Sequence, residues 1–519
     1  MASFYEELHK SDAFSDEKEN AQSRASIDKW IFRLLLILIG FMPLIVVANV
    51  EQVVSPLISN IDALSSGTKG DLFTHFKALF VLGITVITGG MLLAKVFFMG
   101  GTIRKTALNY FLGLFVIAIV LSTIFSPNIS IALSGQYNRA DGAISWLCYV
   151  ALMFIAMNIS YPKNTIRYIM YAMMPFVFIN LYIITMNFYG KDLLQNAAVQ
   201  KFVSMLLPEG ASISQGSHLV GTLNQWNYMS GMFAIMTVMY LAWAIISKNW
   251  GETIVGAITA SASVAIMFMS ISTSGFLTVV ISLIVVLIIF IKAPMKKNAF
   301  VAIMLFLVTT VPIFHILASK NDLVWKESFG FMFDSNPYEE TSSQTTLNHF
   351  GNFGLKQAYA ADQTFELPVL PEKGWSLGSG RMYIWDKTLD LVADRPILGY
   401  GLDSIVYNFP HYNIDARSGN NSENTIVDKP HNLYIGILYG TGVIGALALL
   451  LILLSTAFTG AKAFVDKKKL QMTVLFIGVF AFGVQALFND SLPGVTPIVF
   501  VFMGILISLI ENKKMQESI

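Results

Sequence analysis

Residues 429–445 read Lys-Pro-His-Asn-Leu-Tyr-Ile-Gly-Ile-Leu-Tyr-Gly-Thr-Gly-Val-Ile-Gly, a polar step that passes directly into a long apolar run. Proline is tolerated in the first turn of a helix, because its missing N–H has no intrahelical acceptor to lose. The pattern therefore predicts a membrane helix with His431 at its polar end. Gly436, Gly440, Gly442 and Gly445 predict a narrow side of this helix, on which another helix can lie close.

The composition places the chain among polytopic membrane proteins. Its 519 residues are 55% hydrophobic and 13% charged, whereas a soluble domain is about 25% charged. The net charge of +1 predicts no general affinity for nucleic acid. The single cysteine, Cys148, excludes an intramolecular disulfide and a cysteine-rich metal site. Residues 1–29 are polar, and we expect a disordered cytoplasmic tail with no cleavable signal peptide.

Apolar stretches of about 20 residues predict an all-α fold with about twelve transmembrane helices. The expected spans are residues 30–50, 76–98, 106–125, 143–160, 166–189, 227–247, 253–272, 274–293, 299–318, 432–458, 470–488 and 494–510. The expected cytoplasmic connections and C-terminal tail carry fourteen lysines and arginines, whereas the short outer loops carry five. This bias follows the positive-inside rule, so we expect both termini in the cytoplasm and the protein in the bacterial cytoplasmic membrane.

A long outer loop between the ninth and tenth spans sets the domain organisation. The expected order is a cytoplasmic tail, nine spans, an extracytoplasmic loop domain, three spans and a second tail, at residues 1–29, 30–318, 319–431, 432–510 and 511–519. Loops of this length are usually functional or disordered, and the tryptophans of this one favour a packed domain.

One segment of that loop has helical periodicity. Between residues 381 and 394 the apolar side chains fall on one side at helical spacing. Ser379 is the expected N-cap and Pro396 the expected stop. We therefore expect an amphipathic surface helix that begins at Arg381.

The chain has seven histidines, and no two of them have the spacing of a metal site. We therefore expect neither metal nor cofactor. Six of the seven are most simply explained as solvated or locally hydrogen-bonded side chains. His431 differs from them because of the residues that follow it.

The residues from His431 to Gly445 fit the pattern His-[Asn/Ser/Gln]-x9-Gly-x-x-Gly, with Asn432 second and Gly442 first of the two glycines. This resembles the bacterial O-antigen ligase and O-antigen polymerase family of membrane glycosyltransferases. The segments around Arg381 and around residues 395–401 are similar to that family's outer-loop helix and turn. Weaker similarities lie at residues 135–142 and 221–228. Fifty residues separate Arg381 from His431, about the family's spacing.

The resemblance implies transfer of a glycan from undecaprenyl pyrophosphate to an acceptor hydroxyl at the outer face of the cytoplasmic membrane. The reaction would need no metal and would invert the anomeric carbon. The acceptor would be a glycan, a lipid or a protein. The guanidinium of Arg381 would hold the leaving pyrophosphate, since arginine binds phosphate oxygens bidentately. His431 would remove the acceptor proton as a general base. These two are the expected catalytic residues, and the expected substrate-binding residues are Arg139, Asn432, Asn227 and Tyr137.

Two departures from the family pattern are visible. The family commonly has Ser-Arg-Gly at the outer end of a middle span, where this chain has Ser272-Thr273-Ser274-Gly275. Arg139 is our candidate for the missing cation. Gln225 and Trp226 stand where the family usually has asparagine and proline.

Other interpretations stay open at this point. Within the family, a polysaccharide polymerase that extends lipid-linked repeat units competes with a ligase. A lipid or glycan transporter (flippase) is the alternative of another class. His431 could cap its helix, and Arg381 could anchor its helix to lipid phosphates. Arg139 is more simply structural, and Asp490 is a weak candidate for acceptor binding.

Overall fold

The computed structural model describes residues 2–59, 64–211, 219–223, 225–330, 332–333, 335–339, 380–411 and 426–511, without the side chains of residues 2–15, 467 and 468. Ser379, the expected N-cap, lies outside these residues, as do about half of the expected loop domain and all but residue 511 of the C-terminal tail.

The described residues form a helical bundle with one short hairpin. The helices are α1 (Ala2–Phe41), α2 (His75–Phe98), α3 (Ala107–Ile124), α4 (Ile129–Ser134), α5 (Ala143–Met157), α6 (Thr165–Phe188), α7 (Ala197–Val203), α8 (Trp226–Ile246), α9 (Trp250–Met269), α10 (Thr273–Lys292), α11 (Lys296–Lys320), α12 (Leu323–Lys326), α13 (Arg381–Asp394), α14 (Ile405–Asn408), α15 (Leu433–Ala461), α16 (Thr473–Gln485) and α17 (Thr496–Glu511). Strands β1 (Asn49–Val53) and β2 (Gly67–Asp71) pair antiparallel, with Glu51 opposite Lys69.

Eight helices in the described part of the chain are long and apolar enough to cross a membrane: α2, α3, α6, α8, α9, α10, α11 and α15. Shorter apolar helices, α5, α16 and α17, occupy three further expected spans. The first expected span corresponds to the end of α1 and the 3-10 turn Met42–Leu44. A polytopic helical membrane protein is therefore confirmed, and the number twelve stays a prediction.

Residues 2–29, which we expected to be disordered, form the first part of α1. The physical reason is visible in the sequence, because no glycine or proline occurs before Gly40 and helix-forming glutamate, lysine and alanine are frequent.

The bundle has two polar ends. At one end, Lys95 of α2 bonds Asp28 of α1 at 2.5 Å, and Arg104 donates to the Ser508 hydroxyl at 3.0 Å. At the other end, Lys77 donates to the carbonyls of Ile45, Phe73 and Thr222 at 2.6–2.8 Å. The first end gathers the connections expected in the cytoplasm, and the second gathers those expected outside, so the alternation of the spans agrees with the packing.

Helix α8 lies at the centre of the bundle, and its apolar segment is fully buried. It packs against α9, α10, α11 and α16. Its first residues therefore bring Asn227 and Tyr228 to the end of the bundle that we expect to lie outside.

Helix α15 is broken at Gly442, which has φ +66° and ψ −172°. Residues 396–401 dock on the break, where the Val443 N–H donates to the Pro396 carbonyl at 2.8 Å and the Gly401 N–H donates to the Gly440 carbonyl at 2.9 Å. A Cβ at 442 would clash with the Ile397 carbonyl. We expected Gly442 to allow close packing of another helix, but in the structure it leaves room for the loop of residues 396–401.

Gly445 has the expected role, because a Cβ there would lie 3.3 Å from Ala118 of α3. The exposed large apolar side chains of α15 begin at Val443 and continue to Phe458. Residues 443–461 are about 28 Å long at ~1.5 Å per residue, close to the ~30 Å of a bilayer core. The part of α15 that faces lipid thus begins after the break, and His431 lies on the polar side of it.

Candidate functional site

His431 lies two residues before α15 and is held there by its neighbours. The Asn432 side chain caps α15, since its Oδ1 accepts from the N–H groups of Tyr434 and Ile435 at 3.0 and 3.1 Å. Leu433 N–H donates to the carbonyls of Ala486 and Asn489. His431 itself has φ +53°, a conformation that is uncommon outside glycine. Strain of this kind tends to cluster at functional sites.

The Asp490 carboxylate faces the His431 ring. His431 Nδ1 lies 3.9 Å from Asp490 Oδ2, and the two side chains are 25% and 5% exposed. Asp490 Oδ2 is buried without a hydrogen-bond partner among the described residues. Burial lowers the pKa of His431 to about 4, although Asp490 opposes this shift. The imidazole is therefore neutral at physiological pH and can accept a proton.

Arg381 is the first residue of α13, a helix with the expected bounds whose N-cap is Gly380. Ile384, Thr388 and Val392 face inward, and Trp385 Nε1 donates to the Pro430 carbonyl at 2.7 Å. This bond ties α13 to the residue that precedes His431. The helix thus brings its first residue toward the histidine.

The Arg381 guanidinium is half-buried. Burial lowers its pKa, and the carboxylates of Asp490 and Glu327 act in the opposite direction. No hydrogen bond or ion pair joins the guanidinium to the residues that the structure describes. Within the described part of the chain, its N–H donors are therefore not used by the protein.

A second cation, Lys429, lies two residues before His431 and is 2% exposed. Its Nζ donates to Gln225 Oε1 at 2.9 Å, lies 3.4 Å from Asp428 and stands over the Tyr228 ring. Burial alone would raise the pKa of the Asp428 carboxyl, but the charges of Lys429 and Arg139 hold it below its usual value. Gln225, one of the two departures from the family pattern, thus serves to orient this lysine.

Arg139 is engaged with the protein. Its Nε lies 2.9 Å from Asp403 Oδ1, and Nη1 donates to the Asp428 carbonyl at 3.2 Å. Burial alone would lower the pKa of Arg139, but the surrounding carboxylates, Asp403 foremost, raise it above its usual value. It lines a cavity of about 30 Å³ together with Asp141 and Asp490, which is room for about one water.

Asn227 and Tyr137 lie in different places. Asn227 Oδ1 accepts from the Ser272 hydroxyl at 2.8 Å, and its carbonyl accepts from Asn489 Nδ2 at 2.9 Å. Asn227 is therefore next to the α16–α17 connection that carries Asp490. Tyr137 lines a separate cavity between α2 and α5, so the structure does not bring it together with His431.

The α9–α10 turn, where the family has an arginine, meets an acidic residue here. Thr273 Oγ1 donates to Glu327 Oε2 at 2.5 Å, and the Glu327 carboxylate also acts on Arg381. Arg139, which we expected to replace the arginine of the family's Ser-Arg-Gly, is paired with Asp403 and does not lie in this turn. Lys429 is a second buried cation whose charge reaches His431.

Residues 257–450 match the family model described as O-antigen ligase. The resemblance inferred from the histidine motif is confirmed for this segment. The matched segment contains His431, Arg381, Lys429 and the broken part of α15. Arg139, Asn227 and Asp490 lie outside it. No curated protein matches the chain.

The sequence alone does not predict the roles of three residues at the site. Asp490 was considered only for acceptor binding, and Lys429 stood inside the quoted stretch without an assigned role. Glu327 carried no signal at all, because only the fold brings the start of the long loop over the α9–α10 turn. A general-base histidine often has a carboxylate partner, so Asp490 is the residue of the three that the chemistry could have suggested from the sequence.

Proposed function

We propose that the protein is a ligase-type glycosyltransferase that moves a glycan from undecaprenyl pyrophosphate to an acceptor hydroxyl at the outer face of the bacterial cytoplasmic membrane. The observation that carries this proposal is a neutral, partly exposed His431 imidazole beside the Asp490 carboxylate, together with the Arg381 guanidinium, which has no hydrogen-bond or ion-pair partner among the described residues. The O-antigen ligase match over residues 257–450 supports an activity of ligase or polymerase type.

The chemistry follows from the two ring nitrogens of His431. Nδ1 faces Asp490, so a proton on Nδ1 points to the carboxylate and the lone pair of Nε2 is free. Nε2 takes the proton of the acceptor hydroxyl as its oxygen attacks the anomeric carbon. The bond from this carbon to the pyrophosphate oxygen breaks, and both of its electrons leave with undecaprenyl pyrophosphate. Attack opposite the leaving group inverts the anomeric centre.

The leaving group needs positive charge rather than a proton, because pyrophosphate is already a stable anion. The fork of Arg381 suits two phosphate oxygens. Lys429 adds a second positive charge next to the histidine. In this scheme no metal or cofactor takes part. The proton on His431 afterwards passes to water.

The remaining residues have supporting roles in this proposal. Asn432 keeps its amide Nδ2 for a sugar oxygen while its Oδ1 caps α15. Asn227 contacts the acceptor side through its amide. Arg139 positions residues 428–431 through Asp403 and the Asp428 carbonyl, rather than binding pyrophosphate.

A polymerase that extends lipid-linked repeat units is the second candidate. The absence of an arginine in the α9–α10 turn favours it, because an O-antigen ligase of the usual pattern would have one there. The matched description, O-antigen ligase, favours the first candidate.

Purified protein in nanodiscs tests the proposal with a synthetic undecaprenyl-pyrophosphate-linked oligosaccharide. A ligase consumes the donor only when a separate acceptor is added. A polymerase makes longer lipid-linked chains from the donor alone. If donor binds but no new glycosidic bond forms in either reaction, the proposed activity is wrong, and movement of donor between leaflets would then indicate a transporter.

A further inference from the structure

A second cavity lies at the outer end of the bundle, between α2 and α5. It has a volume of about 210 Å³, which is room for about seven waters at ~30 Å³ each and thus for a group the size of one sugar ring. Polar side chains line one part of it, among them Glu51, Gln136 and Tyr137, and apolar side chains line the rest, among them Leu79 and Leu82.

The polar part presents hydrogen-bond acceptors. Gln136 is 3% exposed, and its Oε1 is buried with no hydrogen-bond partner among the described residues. An acceptor left unsatisfied in this way is costly, and a ligand that donates to it removes the cost. The Glu51 carboxylate and the Tyr137 hydroxyl stand beside it. No lysine or arginine is among the described lining residues, so the cavity does not suit a phosphate.

The apolar part faces the bilayer. Leu79 and Leu82 lie on one face of the first turns of α2, 49% and 36% exposed, and Ile144 of α5 is 40% exposed. These exposed apolar side chains line the same cavity as the polar part, and lipid chains would cover them in a bilayer. The cavity therefore joins a hydrogen-bonding head to an apolar path into the membrane.

We infer that this cavity binds the sugar headgroup of a glycolipid, with the lipid chains lying along α2 and α5. A sugar supplies hydroxyl donors for the Glu51 carboxylate and for Gln136 Oε1, which has no hydrogen-bond partner among the described residues. A sugar also fits better than an ammonium group, because Glu51 is the only carboxylate among the described lining residues. Burial raises the pKa of this carboxyl, and Asp71 adds to the rise while His75 opposes it.

This glycolipid site is separate from the transfer site. Gln136, Tyr137 and Ala140 line the glycolipid site, whereas Arg139 and Asp141 of the same segment line the small cavity at Asp490. The inference therefore goes beyond the proposed transfer reaction and does not depend on His431.

Lipid retention by the full-length protein tests the inference. The protein is placed in phosphatidylglycerol nanodiscs that contain either monoglucosyl diacylglycerol or phosphatidylethanolamine, and bound lipid is counted by native mass spectrometry. We expect one retained glucosyl lipid, and retention about tenfold weaker in Gln136→Leu, as the loss of a buried hydrogen bond or two predicts. Gln200→Leu, a change at an exposed glutamine of α7, should retain the lipid fully.

A second measurement needs no substitution in the site. Cys148 lines the glycolipid site and is the only cysteine in the sequence, so its rate of alkylation by a small maleimide reports occupancy. The glucosyl lipid should slow this rate several-fold, in wild type and in His431→Ala alike. Equal protection by phosphatidylethanolamine, or no protection by either lipid, would overturn the inference, whatever the outcome of the transfer assay.

Discussion

His431 Nδ1 and Asp490 Oδ2 lie 3.9 Å apart, although 59 residues separate them in the chain. The carboxylate oxygen is buried and has no hydrogen-bond partner among the described residues. A proton that arrives on the imidazole turns this distance into an attraction between opposite charges. Asp490 therefore stabilises the protonated ring more than the resting ring, which is how an interaction contributes to catalysis.

Asp490→Asn should slow transfer and leave donor binding nearly unchanged. The amide keeps the shape of the side chain but loses the charge that stabilises the imidazolium. Two opposite unit charges about 4 Å apart attract each other by about 1 kcal/mol in water and about 4 kcal/mol near a protein surface, so kcat should fall about tenfold to a hundredfold. The initial rate at saturating donor and acceptor measures this. Asp386→Asn, at an exposed position on α13, is the matched control, and an unchanged kcat in Asp490→Asn would exclude the role.

The pH dependence of kcat/KM should be flat from pH 8 down to about 6. Burial lowers the pKa of His431 to about 4, and a general base works only when it is neutral. Activity is therefore expected to fall only as pH drops toward 4, rather than near the usual histidine value of about 6.5. In Asp490→Asn the fall should move to still lower pH, since Asp490 raises the histidine pKa. A midpoint at or above pH 6.5 in the wild type would contradict the lowered pKa of His431.

Gly442→Ala should destabilise the protein. Alanine at φ +66° is strained by about 1–3 kcal/mol, and its methyl group would clash with the Ile397 carbonyl. We expect a clearly lower Tm in detergent. Gly436→Ala is the matched control on the same helix, because its Cβ would meet Pro430 at an ordinary 3.5 Å. Equal Tm values for the two variants would show that the helix break is not needed.

Arg139→Met should destabilise the fold strongly, since breaking a buried ion pair costs about 3–5 kcal/mol. The double variant Arg139→Met/Asp403→Asn should recover part of the stability, because it removes the carboxylate that Arg139 pairs with. Asparagine keeps an acceptor for the Gln136 N–H and tolerates the φ of +56° at this position. If Arg139 only positions residues 428–431, the double variant keeps a near-normal KM for the donor. A KM raised tenfold or more in a double variant of normal Tm would instead place Arg139 on the substrate.

The membrane-spanning part of the fold was predictable because apolar length alone specifies such helices. Helices α2, α8 and α15 begin within one residue of the expected spans. Helix α13 was predictable for a similar reason, since its periodicity runs from Arg381 to a proline stop. The α15 break was not, because a glycine at 442 is compatible with helix packing as well as with a docked loop. The hydrogen bond from the Val443 N–H to the Pro396 carbonyl shows that the glycine accommodates a docked loop.

At the site, the local motif predicted His431 and Arg381; Asp490 lies 3.9 Å from His431, and its charge acts on Arg381. The residues that tune them come from elsewhere in the chain. Asp490 precedes α17, Gln225 precedes α8, and Glu327 follows α12. Contacts of this kind depend on how helices pack, and no periodicity or spacing in one sequence records them.

The rate of glycan transfer by His431→Gln tests the central claim most directly. The variant is assayed in nanodiscs at pH 7.5 with saturating donor and acceptor, beside His411→Gln, a buried histidine whose Nε2 bonds the Val406 carbonyl. Loss of a general base predicts a kcat about 10²–10⁴-fold lower with donor affinity unchanged, while His411→Gln keeps its rate if it folds normally. A His431→Gln enzyme that retains wild-type kcat would contradict the claim that this imidazole takes the acceptor proton.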